Sequence, residues 1–317
     1  MLSSTLVSGM GRHVFLFLVA AAPATAQLAN SSLQTAVDRA MADRSGTAVV
    51  LNVGNRRVLA AYRLDVAAKR LVYPGSSLKP FTLLALLQAR KLDAQTALFC
   101  KRPLTVGGHR LDCTHPDTHH PLDPASALAY SCNSYFISMA TRLTPAQLRD
   151  SLTADGFPTV TGLAHNEAVG AISLATTPAQ LQLQAIGEWG VLLTPLELLQ
   201  GYLKLARLAS QPPNPGLIPL FDGLEGSTSF GMGRLAQPEG AFKVAGKTGT
   251  APSQEGPWTH AWFAGFAPAQ HPEIVLVVFL EKGRGGVEAA EVARQIFAAY
   301  AALATSRPGT SAAGAQK

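Results

Sequence analysis

At 317 residues the chain has room for one large domain or two modest ones. Hydrophobic residues make up 47% and charged residues 15%, the balance of a protein with a sizeable core, which excludes an intrinsically disordered chain. The formal charge of +6 tolerates anionic partners, but no basic run is interleaved with aromatics. A cationic surface therefore accounts for the charge, and nucleic acid is not an expected partner.

The first 26 residues read as an address rather than as structure. Arg12 and His13 precede a short apolar run, Val14 to Ala22, well below the roughly 20 residues of a membrane span. Ala24-Thr25-Ala26 is an A-x-A cleavage pattern, which predicts a signal peptide over 1–26, a mature start at Gln27, and a periplasmic or secreted protein. An uncleaved N-terminal anchor is the alternative.

Thr47–Asn52 reads as a strand, Gly54-Asn55 as a turn, and Arg57–Tyr62 as the hairpin partner. Pro74-Gly75 breaks the chain before a helix over Leu78–Arg90, where Pro80 fits only in the first turn. A loop with Gly and His runs from Cys100 to Pro121. Helices are predicted over Pro124–Arg142, Thr144–Ala154 and Thr194–Ser210, and Pro212, Pro213 and Pro215 make a loop. A strand starting at Lys243–Ala245 leads into K-T-G-T, followed by strands Ala261–Ala267 and Glu273–Glu281 and a helix Val287–Ala304. Ile274–Leu280 is apolar but only of strand length. The tail 306–317 is small, polar and expected to be disordered. The order predicts one domain over 27–305, with a sheet from both ends of the chain and a helical lobe, roughly 80–235, inserted between them.

Three short motifs carry chemistry. Ser76-Ser77-Leu78-Lys79 is S-x-x-K at a helix start, where positions i and i+3 share a face and the Lys79 amine can sit beside the Ser76 hydroxyl. The helix N-terminus offers N–H groups to a developing oxyanion. Serine needs an adjacent base, and lysine serves only if burial or neighbouring cations depress its pKa. Ser131-Cys132-Asn133 is S-x-N in a helical context, and Lys247-Thr248-Gly249-Thr250 lies on a strand. A strand edge with a lysine and hydroxyls can take an extended peptide and hold its carboxylate. Ser131 can relay a proton to a leaving amine, Asn133 can bond a substrate amide, and Lys247 can support Ser131. Each motif alone is weak, but all three in this order form a serine acyl-transfer signature.

In these motifs the chain resembles the transpeptidase domain of penicillin-binding proteins, in the superfamily that includes serine β-lactamases. The segments that carry the likeness are TAVVLNVGNRRVLAAY, YPGSSLKPF, ALAYSCNSYF, LLTPLELLQGYLKLA, VAGKTGTA and HAWFAGFAP. The resemblance implies an α/β (α+β) fold: a five-stranded antiparallel sheet flanked by helices, an all-helical lobe, and a site in the cleft between them. It also implies acylation of Ser76, with Lys79 as base, by the D-Ala-D-Ala end of a peptidoglycan stem peptide or by a β-lactam. Substrate would be held by Asn133, Lys247, Thr248, Gly249 and Thr250, and no cofactor would be required. Larger family members carry an N-terminal module, which the short stretch between Gln27 and the first strand is not expected to hold. Gly187-Glu188-Trp189-Gly190 stands where many relatives have a Gly-Gln-Gly-like stretch. The identity of any cell-wall synthesis partner stays open.

A serine β-lactamase, or a non-catalytic β-lactam or muropeptide sensor, would share the acylation chemistry. A class A β-lactamase needs a glutamate to activate water, and Glu167 lies between the second and third motifs. Such enzymes have an asparagine four residues later, where this chain has Ala171, so Glu167 is expected to be structural. Class D enzymes usually lack the asparagine found here as Asn133.

Cys100, Cys113 and Cys132 are the only cysteines. In an oxidising compartment Cys100 and Cys113 would form a disulfide. The competing reading is structural zinc held by Cys100, Cys113, His119 and Cys132. Resemblance bears on this, because some elongation-type members have a zinc site here with a histidine thirteen residues before the middle cysteine of the second motif. His115 and His120 are substitutes for His119, and both readings stay open.

Overall fold

The fold is that of a computed structural model, which describes Met1 and residues 24–305. Most of the signal-peptide reading over 1–26 and all of the tail 306–317 lie outside the described residues. Helix α1 (Ala24–Met41) leads to the hairpin of β1 (Gly46–Asn52) and β2 (Val58–Tyr62). After α2 (Leu64–Lys69), a 3-10 turn over Gly75–Leu78 runs directly into α3 (Lys79–Gln88). A small ribbon comes next, β3 (Thr105–Val106) with β4 (His109–Arg110), then α4 (Pro124–Ala129), α5 (Asn133–Ala140) and α6 (Pro145–Ala154). A second short pair, β5 (Ala171–Ile172) and β6 (Val191–Leu192), brackets α7 (Pro178–Ala185). Helices α8 (Pro195–Ala209) and α9 (Ile218–Ser229) precede β7 (Ala245–Pro252), β8 (Thr259–Ala267), β9 (Ile274–Leu280) and α10 (Ala290–Thr305).

The main sheet has five strands in the order β2-β1-β9-β8-β7, and every neighbouring pair is antiparallel. β9 lies at the centre and all its residues are buried, which is why IVLVVFL shows no polar alternation. Successive residues still face opposite cores. Val49 and Val277 join the core shared with Phe81, Leu198 and Leu199, while Val50 and Val278 meet Leu33 and Val37 of α1 and Ile296 and Phe297 of α10. Among the described residues no helix is long and apolar enough to cross a membrane.

Three helices begin with the same device. Thr144, Thr177 and Thr194 each cap the N–H three residues on, the side chain there bonds back, and proline takes the first helical position. The single helix expected over Pro124–Arg142 is two. The N–H groups of Ser131 and Cys132 turn back to Leu128 O and Ala127 O, and Ser131 adopts a left-handed φ of 56°, which no right-handed helix can include.

Candidate active site

The turn that carries Ser76 lies directly on β7. Gly75 has a φ of 53°, and a Cβ on Gly249 would fall 2.6 Å from Pro74 O and 3.1 Å from Ser77 Cβ. The glycine of K-T-G is therefore a steric requirement: only a bare Cα lets the serine turn approach the strand. The Tyr202 hydroxyl donates to Ser77 O at 2.9 Å and Trp262 Nε1 to Tyr73 O at 3.1 Å, fixing the turn from the opposite side. Ser76 is half-buried in this turn.

Lys79, one helical turn on, is fully buried. Its Nζ donates to Ser131 O at 2.8 Å, Ser131 Oγ at 3.3 Å and Asn133 Oδ1 at 2.6 Å, and lies 5.5 Å from the centre of the Phe136 ring. These bonds run to the second motif rather than to Ser76, so Lys79 is the physical link between the first two motifs. Burial pushes its ammonium down to about 8, against the opposing charges of Cys113, Cys132 and Glu188. Asn133 is held at its other end, where Nδ2 donates to Leu111 O at 3.1 Å. The left-handed backbone of Ser131 presents its hydroxyl to Lys79, a strained conformation of the kind found at functional sites.

On β7, Lys247 is also fully buried and donates to Thr248 O at 3.0 Å. Burial, and then the charge of Lys79, hold it well below the usual lysine range. The Thr250 hydroxyl accepts from Gly285 N at 3.0 Å, bracing the strand beside the serine turn. The structure thus brings Ser76, Lys79, Ser131, Asn133, Lys247, Thr248, Gly249 and Thr250 to one junction of turn, helix and strand. Sequence reasoning attached no consequence to Glu188. Its only signal there was the departure at residues 187–190.

Glu167 is saturated with donors: Thr161 N at 2.5 Å, Thr161 Oγ1 at 3.0 Å, and Leu163 N and Ala164 N at 2.8 Å each. Burial pushes its carboxyl up, yet these donors outweigh it and hold the group below its ordinary value. It ties down its own loop, as expected of a structural residue.

The cysteine cluster corrects one assignment. His119 has a φ of 51° and an exposed ring turned to Asp117 at 3.8 Å. The histidine that joins the cysteines is His115, whose carbonyl accepts from Arg102 at 2.7 Å and whose Nδ1 lies 2.7 Å from Pro116 O. The donor atoms of Cys100, Cys113, His115 and Cys132 all lie within 4.8 Å of one another. All three cysteines are free, so the Cys100–Cys113 disulfide is not formed. Cys113 and Cys132 Sγ stand 3.7 Å apart. Tetrahedral zinc with Zn–S bonds of about 2.3 Å places its sulfurs about 3.8 Å apart, so the donor set fits that ion. Three thiolates and one imidazole around a divalent ion leave one negative charge, and Arg102 Nε lies 3.4 Å from Cys100 Sγ to balance it.

A family model described as "Penicillin binding protein transpeptidase domain" matches residues 46–298. The chain belongs to this family. Among curated relatives it is 28% identical over 253 residues to Stage V sporulation protein D of Bacillus subtilis (strain 168), covering 68% of this chain and 39% of that protein. It is 30% identical over 213 residues to Peptidoglycan D,D-transpeptidase PbpA of Mycobacterium tuberculosis (strain ATCC 25618 / H37Rv), covering 55% and 43% respectively. The chain thus spans about two fifths of the length of these two curated relatives. Among solved structures, Pseudomonas aeruginosa PBP2 in complex with WCK 5153 superposes with a TM-score of 0.75 at 23% identity, covering 85% of this chain and 77% of that one. The five-stranded antiparallel sheet and its helices are the fold of this transpeptidase domain.

Proposed function

We propose that the chain is a penicillin-binding D,D-transpeptidase-type acyl-serine enzyme that acts on the D-Ala-D-Ala end of peptidoglycan stem peptides. The observation that carries this reading is the bonding of Lys79 to both Ser131 and Asn133 while the Ser76 turn rests on Gly249. Lys79, depressed to about 8, has a neutral fraction at physiological pH and serves as base. Ser76 Oγ attacks the penultimate D-Ala carbonyl and gives up its proton to Lys79. Backbone N–H groups of Ser76 and near Thr250 hold the oxyanion. The bond to the terminal D-Ala nitrogen then breaks, and Ser131 passes that proton to the leaving amine. Asn133 holds the substrate amide, and Lys247, Thr248 and Thr250 hold the terminal carboxylate. An acceptor amine takes the acyl group and frees Ser76. A β-lactam goes through the same first step, its ring amide opening onto Ser76.

The rival readings part from this one after acylation. A class A β-lactamase needs a free carboxylate to activate water, and the donors around Glu167 argue against that residue. A sensor would acylate and stop. Incubating the protein with a fluorescent penicillin separates them. Durable label on the wild type and none on Ser76→Ala is expected, with D-Ala release from a stem-peptide analogue. Rapid loss of label would favour a β-lactamase, and label on Ser76→Ala would overturn the mechanism.

Zinc, held by Cys100, Cys113, His115 and Cys132, would brace the loop beside Ser131 and take no part in the chemistry. One equivalent of metal by elemental analysis, lost in Cys132→Ser, is the expected result. The signal-peptide pattern supports a periplasmic or secreted location, where cell-wall synthesis proteins are the expected partners.

A further inference from the structure

The helices that begin at Lys79 and Asn133 finish together, about 15 Å from the end that carries Lys79. Arg142, just past α5, donates from its guanidinium to Lys91 O, just past α3, at 2.8 Å. α3 closes with two backbone bonds, Arg90 N to Leu87 O at 3.0 Å and Lys91 N to Leu86 O at 2.8 Å. This is a Schellman closure, whose left-handed position is usually glycine because a Cβ is disfavoured there. The chain has Arg90 at that position, with a φ of 54°. The closure needs no guanidinium, so the choice of arginine calls for a reason outside the helix.

A cavity of about 520 Å³ opens at this place. Arg90, Lys91 and Arg142 line it, with an apolar wall of Leu87, Leu92 and Pro219. Pro219 belongs to the first turn of α9, which carries no acidic residue. None of the three cations forms an ion pair among the described residues. Asp93 is the one acid on the lining, and its Oδ1 already accepts from Gln95 N at 3.0 Å and Thr96 Oγ1 at 2.9 Å. Two helix C-termini offer about one negative charge between them, and Asp93 another, so three cations leave an excess. Like charges gathered at one concavity focus a positive field into it.

We propose that this cavity binds a phosphate group, free or carried on a lipid headgroup, through Arg90, Lys91 and Arg142. A phosphate presents oxygens on several sides, so cations from two helix ends can bond it at once, whereas a carboxylate presents its two in one plane. The apolar wall is placed for the organic part of a phosphate ester. The site is separate from the acyl-serine machinery and does not depend on that reading.

The test is calorimetric titration with inorganic phosphate at constant ionic strength, for the wild type, Arg90→Gly, Lys91→Gln and the double variant. Saturable binding is expected for the wild type, weakened about five- to tenfold in each single variant and lost in the double. Glycine suits the left-handed φ, so Arg90→Gly is expected to keep or raise the urea midpoint while it weakens binding. An arginine that serves the helix end alone would not give that combination. Flotation with vesicles of phosphatidylcholine, with and without phosphatidylglycerol, separates the two sources. Flotation by the anionic vesicles that is lost in the double variant would assign a lipid headgroup. Phosphate binding without such flotation would assign a free phosphate. Binding that does not saturate, or that is unchanged in both single variants, would overturn the proposal. Flotation kept by the double variant comes from the overall charge of +6 and, without saturable phosphate binding, overturns it as well.

Discussion

Two short loops each carry a glutamate, and their electrostatics are opposite. In the loop over 161–170, Glu167 takes four donors from three residues and is held below its ordinary value. In the loop over 187–190, Glu188 has no donor among the described residues, and burial pushes it up against the pull of Lys79. Residue type does not distinguish them; the N–H groups that reach the carboxylate do. A carboxylate wrapped in backbone donors is held in its charged form, whereas one buried without donors is pushed toward its neutral form.

The strongest way to break this contrast is through Glu197, the second carboxylate holding the first loop. It is buried at the start of α8 and accepts from Thr159 N at 3.0 Å, Gly170 N at 2.9 Å and Thr194 N at 2.8 Å. Glu197→Ala leaves all three N–H groups without an acceptor and is expected to cost about 3–5 kcal/mol in urea unfolding. Glu167→Ala, half-buried and closer to solvent, is expected to cost about 2 kcal/mol. Its folded fraction should still acylate and hold a fluorescent penicillin as the wild type does. Unchanged stability with altered loss of label would instead assign Glu167 to water activation.

Next in size is the pH dependence of acylation. The proposed role of Lys79 as base requires its neutral form, and its value of about 8 lies below the ordinary lysine range. The rate of labelling is therefore expected to rise with pH and level off above about 8. A flat profile between pH 6 and 9 would remove Lys79 from the role of base.

Much of this was legible in sequence because it rests on local chemistry. Ser76, Lys79 and the K-T-G strand come from spacing, and β1, β8 and β9 from apolar runs. What was not legible depends on contacts far apart in the chain. Helix α9 was missed because Gly223 and Gly226 lower its helical propensity; a Cβ on Gly223 would meet Leu128 Cβ at 2.8 Å, so tertiary packing against α4 accounts for that glycine. The break at Ser131 hides in an otherwise helical pattern, because a single left-handed residue leaves no mark on periodicity. His119 matched the expected spacing, but the turn of the loop points it outward and brings His115 to the cysteines. Glu188 showed only as an unexplained letter, because its burial comes from contacts far from it in sequence.

The smallest effect separates the two loops most sharply, because its sign differs between them. Glu167 is held below its ordinary value of 4.5, so its contribution to stability is present above that pH and lost as pH falls through the folded value. Glu188 is raised above 4.5, so its contribution is fully present below that pH and lost as pH rises through the folded value. At neutral pH Glu167→Ala should therefore be less stable than the wild type, while Glu188→Gln should be equal or slightly more stable, within roughly 1 kcal/mol. Below pH 4.5 the charge-dependent part of each difference should shrink. Urea midpoints for both variants at pH 7 and pH 4 test this. If Glu188→Gln destabilises at pH 7 as Glu167→Ala does, the second loop holds its glutamate as the first does, and the contrast between them is lost.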